Sequence, residues 1–260
     1  MEEVQRRSQP RDVPVDLIHR IQSLLPLREA SRTCVLSKTW SHAWSTIPHL
    51  RFHITSGFLS TIPHLRFIIT SEFPNEEKER DYIKFMDHTI FRYIQENIPI
   101  EHFDLILDNK LASLANKWIP TVGAQSCYKK LSIDIPYESD SDLILLDEIF
   151  SGKNLHTLSL IDCRSSPIET VSRNPVINCV NLRVLKLEDV EINEEVLDIL
   201  FSTCILLEII NLAVRTNMTT FKVQNLCYLQ ELKLKTSVPY DVLKIDDVPN
   251  LHLSEYFCLI

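Results

Sequence analysis

A chain of 260 residues can form one large domain or two smaller ones with a genuine core, and 45% hydrophobic with 24% charged residues is ordinary for a globular protein. The net charge of −8 is unevenly spread, because residues 1–52 hold eight Lys/Arg against five Asp/Glu, a balance of +3 that leaves −11 on the rest. That gives no electrostatic footprint for nucleic acid or an anionic membrane, no apolar run reaches the ~18–20 residues of a membrane helix, and three scattered glycines leave no phosphate-binding loop or nucleophile elbow.

The opening MEEVQRRSQPRD lacks the apolar centre of a signal peptide, and residues 1–11 are expected to be disordered. Asp16 is placed to cap a first helix, in which Leu17, Ile18, Ile21, Leu24 and Leu25 follow a helical stripe until Pro26 stops it. Leu27–Thr33 reads as a short second helix. Ser37 can cap a third, with Trp40 and Trp44 one turn apart, ending at Ile47-Pro48. Three such short helices cannot bury all this apolar surface among themselves, so the module must dock on the rest of the chain or present a face to a partner.

The stretch VPVDLIHRIQSLLPLREASRTCVLSKTWSHAWSTIPHLRF, Val13–Phe52, resembles an F-box of the plant F-box/leucine-rich-repeat type, an FBD-related group. It keeps that family's pattern of LP-x-D-L-L-x-x-I-x-x-x-L-P followed by VLSK-x-W-x-x-x-W-x-x-x-P. Val13 stands for leucine, Val15 for an acidic residue and Thr39 for a basic one. The resemblance implies binding to the SKP-family adaptor of a cullin–RING ubiquitin ligase. Val13, Pro14, Leu17, Ile18, Ile21, Leu25, Pro26, Leu27, Val35 and Trp40 match adaptor-facing or module-core positions, and Glu29 and Arg32 match polar positions at the edge of that contact. The F-box is bounded at residues 12–52.

Residues 53–98 read as a linker. Ser45–Leu59 and Ser60–Pro74 are near copies, differing only at His53/Ile68, Gly57/Glu72 and Leu59/Pro74. A unit of 15 residues is too short for a strand-plus-helix repeat, so this is a tandem duplication in which one copy supplies a first strand. Leu65–Thr70 is the better strand of the two, since Ile68 and Ile69 replace His53 and Ile54. A helix over 80–97 follows, with Ile83, Met86, Ile90 and Ile94 on its apolar face, and a second near Leu111–Val122 carries Trp118.

Beyond residue 99 one phrase recurs, with apolar and polar residues alternating as in a half-buried strand. Its centres Phe103, Leu131, Leu158, Leu185, Ile210 and Leu232 step by 28, 27, 27, 25 and 22 residues. Those spacings are leucine-rich-repeat spacings. Helical patches such as Leu143–Phe150 and Glu194–Ser202 lie between phrases. The expected fold class is therefore α/β, a three-helix F-box followed by an irregular leucine-rich-repeat solenoid of parallel strands and helices over 99–260, which reaches the end of the chain without an evident closing cap and is expected to be truncated there.

Family experience places targets on the strand side of such solenoids. That nominates His156, Ser159, Arg183, Lys186, Glu208, Asn211, Gln230 and Lys233, with Thr157, Val184 and Glu231 between them. The odd number of cysteines, seven, with no C-x-x-C, suits reduced and mostly buried thiols in the cytoplasm or nucleus. His49 and His53 are four apart, but no nearby cysteine completes a metal site; Glu138–Asp142 reads as a surface loop. No cofactor and no catalysis are expected. The implied role is the substrate-recognition subunit of an SCF-type ligase, a non-catalytic receptor with a protein target. The alternative is a leucine-rich-repeat scaffold that does not assemble productively into a ligase.

Overall fold

The computed structural model describes residues 13–25, 27–54, 76–108, 111–125, 128–135, 149–162, 177–190, 192–214 and 218–258. The expectations for residues 1–11, Pro26, the second copy Ser60–Pro74, the Glu138–Asp142 loop and most of the Leu143–Phe150 helix lie outside them. The described residues fall into two compact units, 13–47 and 48–258.

In the first unit, α1 (Val15–Leu24) begins two residues earlier than its stripe implied. Pro14 holds the cap position without a side-chain bond, and Asp16 sits inside the first turn, where its charge favours the helix dipole. The helix ends because Leu25 turns extended (φ −90°, ψ 148°), as a residue before proline must. A short α2 (Leu27–Arg32) runs into a 3-10 turn, Thr33–Val35, and α3 (Lys38–Ser45) follows. Ser37 caps α3 as expected, accepting from the Trp40 amide at 3.3 Å.

The second unit is built on an eight-stranded parallel sheet. Its strands, in spatial order, are β1 (His49–Ile54), β2 (His102–Leu107), β3 (Lys130–Asp134), β4 (Thr157–Ile161), β5 (Val184–Val190), β6 (Ile209–Val214), β8 (Glu231–Thr236) and β10 (Leu253–Cys258). The six repeat centres are direct register partners: Phe103 faces Leu131, then Leu158, Leu185, Ile210 and Leu232. All six are fully buried, and Leu50 extends the row at its start. A second inward row runs Phe52, Leu105, Ile133, Leu160, Leu187, Leu212 and Leu234. Stacked apolar rows of this kind make each repeat's core continuous with its neighbour's.

The turn ahead of each strand also repeats. Leu155, Leu182, Leu207, Leu229 and Leu251 each donate a backbone bond to the residue three places earlier, Gly152, Cys179, Cys204, Leu226 and Val248 respectively. Cys179 and Cys204 are the buried members of that column, their Sγ atoms 3.4 Å apart. Cys227 is exposed, against the expectation of burial, because it lies one place beyond its turn's column position at Leu226.

Helices back the early strands. The first, α4 (Glu76–Gln95), buries Tyr82, Met86, Ile90 and Tyr93, with Ile83 and Ile94 only partly buried, so its core face is turned slightly from the expected one. The next, α5 (Ala112–Gln125), buries Trp118, whose Nε1 donates to Asp87 Oδ1 at 2.8 Å. A third, α6 (Glu194–Thr203), is capped by Asn193, which accepts from the Val196 amide at 2.9 Å. Beyond α6 strands take the helices' place: β7 (Thr220–Gln224) pairs in parallel with β9 (Val242–Asp246). Phe221 of β7 packs edge-on against Phe201 of α6, which joins the two layers.

The first copy of the duplication supplies β1, whereas the sequence reading favoured Leu65–Thr70. The inward residues Leu50 and Phe52, both fully buried, have identical counterparts in the second copy, so the core does not discriminate between copies. The difference between His53 and Ile68 falls in the alternate register, where β-propensity decides little.

Candidate protein-binding surfaces

The helical module turns its apolar stripe outward. In α1 only Ile18 and Gln22 are buried, while Leu17 is 51%, Ile21 41% and Leu24 69% exposed. A helix folding only for its own module would do the reverse. Gln22 is held inside by its Nε2, which donates to Thr33 Oγ1 at 2.9 Å and to the Trp40 carbonyl at 3.2 Å, tying α1 to the 3-10 turn and α3, while its Oε1 has no hydrogen-bond partner. Val35 and Leu36, at the end of that turn, are 86% and 63% exposed. Val13 and Pro14 are exposed as well, and Leu25 and Trp40 are half-buried.

The nominated residues therefore divide. Leu17, Ile21, Val13 and Val35 stand in solvent. Ile18 is fully buried and takes the module-core alternative, holding the module together. Leu27 opens α2. Glu29 and Arg32 pair with each other at 2.8 Å on the surface, an interaction of little energetic weight. Leu24 and Leu36 were not nominated. The signal for both was present, since Leu24 lies in the α1 stripe and Leu36 beside Val35 in the VLSK phrase.

On the strand side, the eight nominated residues fall into two columns. Ser159, Lys186, Asn211 and Lys233 are consecutive register partners on the outward face, continued by Ser132 and Asp104 on one side and Glu255 on the other. His156, Arg183, Glu208 and Gln230 precede their strands and are linked by backbone bonds, each amide donating to the carbonyl of the one before. Within this second column Arg183 is ion-paired to Glu208. Lys233 is paired to Glu255 at 3.3 Å, whereas Lys186 is exposed at the centre of the face.

The face is electrostatically graded. At its start, His49 and His102 stack at 4.0 Å, and burial holds the His102 imidazole below its ordinary value. Arg51 donates to Asp104 Oδ2 at 2.6 Å. Towards the strand ends lie Asp134, Asp162 and Glu188; burial, then repulsion from the other two, pushes the Asp134 carboxyl up to about 6. Lys129 bonds Glu101 at 2.9 Å and holds that carboxyl low. Among the described residues no group of His, Cys, Asp or Glu is placed to hold a metal ion, and no helix is long and apolar enough to cross a membrane.

A ladder of stacked parallel strands with buried leucine rows, preceded by a three-helix module, defines the class: a leucine-rich-repeat solenoid protein with an N-terminal helical bundle. Residues 116–256 match the family model described as "FBD-associated F-box protein At5g56370, LRR repeats". The chain belongs to this plant F-box/FBD/leucine-rich-repeat family. It is similar to Arabidopsis thaliana At3g58880, named as an F-box/LRR-repeat protein, with 28% identity over 95% of this chain and 52% of that protein. It is likewise similar to At5g56410 of the same plant, named as an FBD-associated F-box protein, with 27% identity over 80% of this chain and 41% of that protein. The F-box protein At3g60790, also from Arabidopsis thaliana, shares 26% over 82% of this chain and 42% of its own length. The chain thus spans about half or less of the curated relatives it matches. No solved structure matches.

Proposed function

We propose that the helical module binds an SKP-family adaptor, and that the chain is thereby the substrate-recognition subunit of a cullin–RING ubiquitin ligase whose target lies on the strand face. The observation that carries this reading is the inversion of α1, which buries Gln22 while leaving Leu17, Ile21 and Leu24 exposed, with Val35 and Leu36 also exposed in the same module. Apolar side chains held in solvent by a well-packed module belong to an interface whose other half is missing. The resemblance of Val13–Phe52 to an F-box and the names of the relatives support the adaptor as that half. Ligation chemistry would then reside in other subunits, and this chain would act by holding a target near it.

Exposed residues make the cleaner test, because truncating them leaves the module's packing intact. Titration of purified adaptor into the wild-type chain should show 1:1 binding. Leu17→Ala with Val35→Ala should weaken it by more than ~2 kcal/mol, a hot-spot scale of loss, with unchanged circular dichroism. A folded wild-type chain that binds no adaptor would leave the non-assembling scaffold as the better reading.

A further inference from the structure

The middle of the outward strand face has a low floor and acidic walls. Ser132 of β3 and Ser159 of β4 are register partners, so two of the smallest polar side chains stand side by side. The same row places Asp104 on one side of them and Lys186 on the other. Two residues further along the strands, Asp134 lies level with Ile161, and Ile161 with Glu188. Asp162 follows immediately, its amide bonded to the Glu188 carbonyl at 2.8 Å.

Asp104 supplies an observation independent of that acidic edge. It is only 7% exposed; Oδ2 is taken by Arg51, and Oδ1 has no hydrogen-bond partner. A carboxylate oxygen withdrawn from water without a donor is unfavourable, and a donor brought by a ligand would satisfy it. The cations on this part of the face are Arg51, engaged by Asp104, Lys130 in the row nearer the strand starts, and the exposed Lys186. With Arg51 and Asp104 paired, three carboxylates stand against two lysines around the serine floor.

Resting on the reading of the strand face as the target surface, we propose that the target segment is basic: an extended stretch whose arginine or lysine side chains lie over Ser132 and Ser159, one cationic head at Asp104 and another between Asp134, Asp162 and Glu188. A long aliphatic stem fits over small side chains, and an arginine fork can serve more than one carboxylate at once. Lys186 stands at the opposite flank, placed to meet carbonyl groups of the same segment.

The test uses the full chain and two fluorescein-labelled dodecapeptides, one of alternating arginine and serine and one of alternating glutamate and serine, compared by anisotropy at physiological salt. The wild-type chain should bind the arginine peptide at least tenfold more tightly than the glutamate peptide. Asp134→Asn with Glu188→Gln should weaken that binding at least fivefold, whereas Glu195→Gln with Asp198→Asn, removing equal charge from exposed positions on α6, should leave it unchanged. Equal binding of the two peptides, or equal loss in both variants, would overturn the proposal, since the chain's general acidity would then suffice. If the first variant melts early, Glu188→Gln alone, at an exposed position, must still give at least a twofold loss. Adaptor binding is measured on the same samples. Its absence would overturn the ligase reading while leaving the peptide result standing, and failed peptide discrimination with intact adaptor binding would overturn this inference alone.

Discussion

At the residue scale, the carboxylate of Asp134 is held where its charge is unwelcome. Burial and the neighbouring charges of Asp162 and Glu188 raise its pKa from 3.8 to about 6. The sign follows from proton counting. Between those two values the folded chain binds more protons than the unfolded one, so stability falls as pH rises from about 4 to about 6 and then levels off. Asp134→Asn removes the charge and keeps the shape. It should stabilise the chain at pH 7.5 by no more than ~1 kcal/mol, a figure kept low because the side chain is partly solvated, and the gain should vanish by about pH 4. Urea unfolding of both proteins at the two pH values checks it; a constant difference across that range would show that the acidic neighbours are not its cause. Gln22 illustrates a different residue-level lesson. Polar as it is, it becomes the buried pivot of the module through bonds to Thr33 and Trp40.

At the element scale, helix ends show how local chemistry sets boundaries. Asn193 precedes α6 and accepts from the Val196 amide, with Glu194 and Glu195 in the first turn facing the positive end of the dipole. Asn193→Ala should therefore cost ~1 kcal/mol, and amide exchange should quicken in the first turn of α6 while the β5 and β6 amides keep their protection. Exchange unchanged at Val196 would mean the cap bond contributes nothing. The acidic start of this helix was legible in the sequence because carboxylates have few other reasons to cluster before an apolar stripe. The start of α1 was read two residues late, because Pro14, which has no amide of its own to satisfy, holds the cap position and Asp16 falls inside the first turn.

At the scale of the whole molecule, the repeat centres were legible because stacking demands one apolar residue per coil at nearly constant spacing, and Phe103 through Leu232 are in register as that spacing required. Where the spacing rule lapses, so does legibility. β10 places Ser254 opposite Leu232, so the last rung lacks the apolar residue that announces a strand. The pair β7–β9 replaces a helix with strands, and no repeated phrase marks the exchange. The candidate surfaces divided in a similar way. Family resemblance nominated residues of the module as a set, but composition could not say which of Leu17 and Ile18 faces inward; only packing around Gln22 decides that. On the strand side the outward positions followed from alternation. Ser132, Asp104 and Asp134 were passed over because the nominations drew on later repeats, although the same alternation turns them to the outward face.

The central claim is that an adaptor covers the inverted face of the helical module. Hydrogen–deuterium exchange of the full chain, with and without saturating adaptor, tests it most directly because it reports where protection appears. The account predicts added protection over α1 and the Thr33–Leu36 turn, with the strands β2 to β8 unchanged. Protection confined to the strands, or none on the module despite binding, would contradict it.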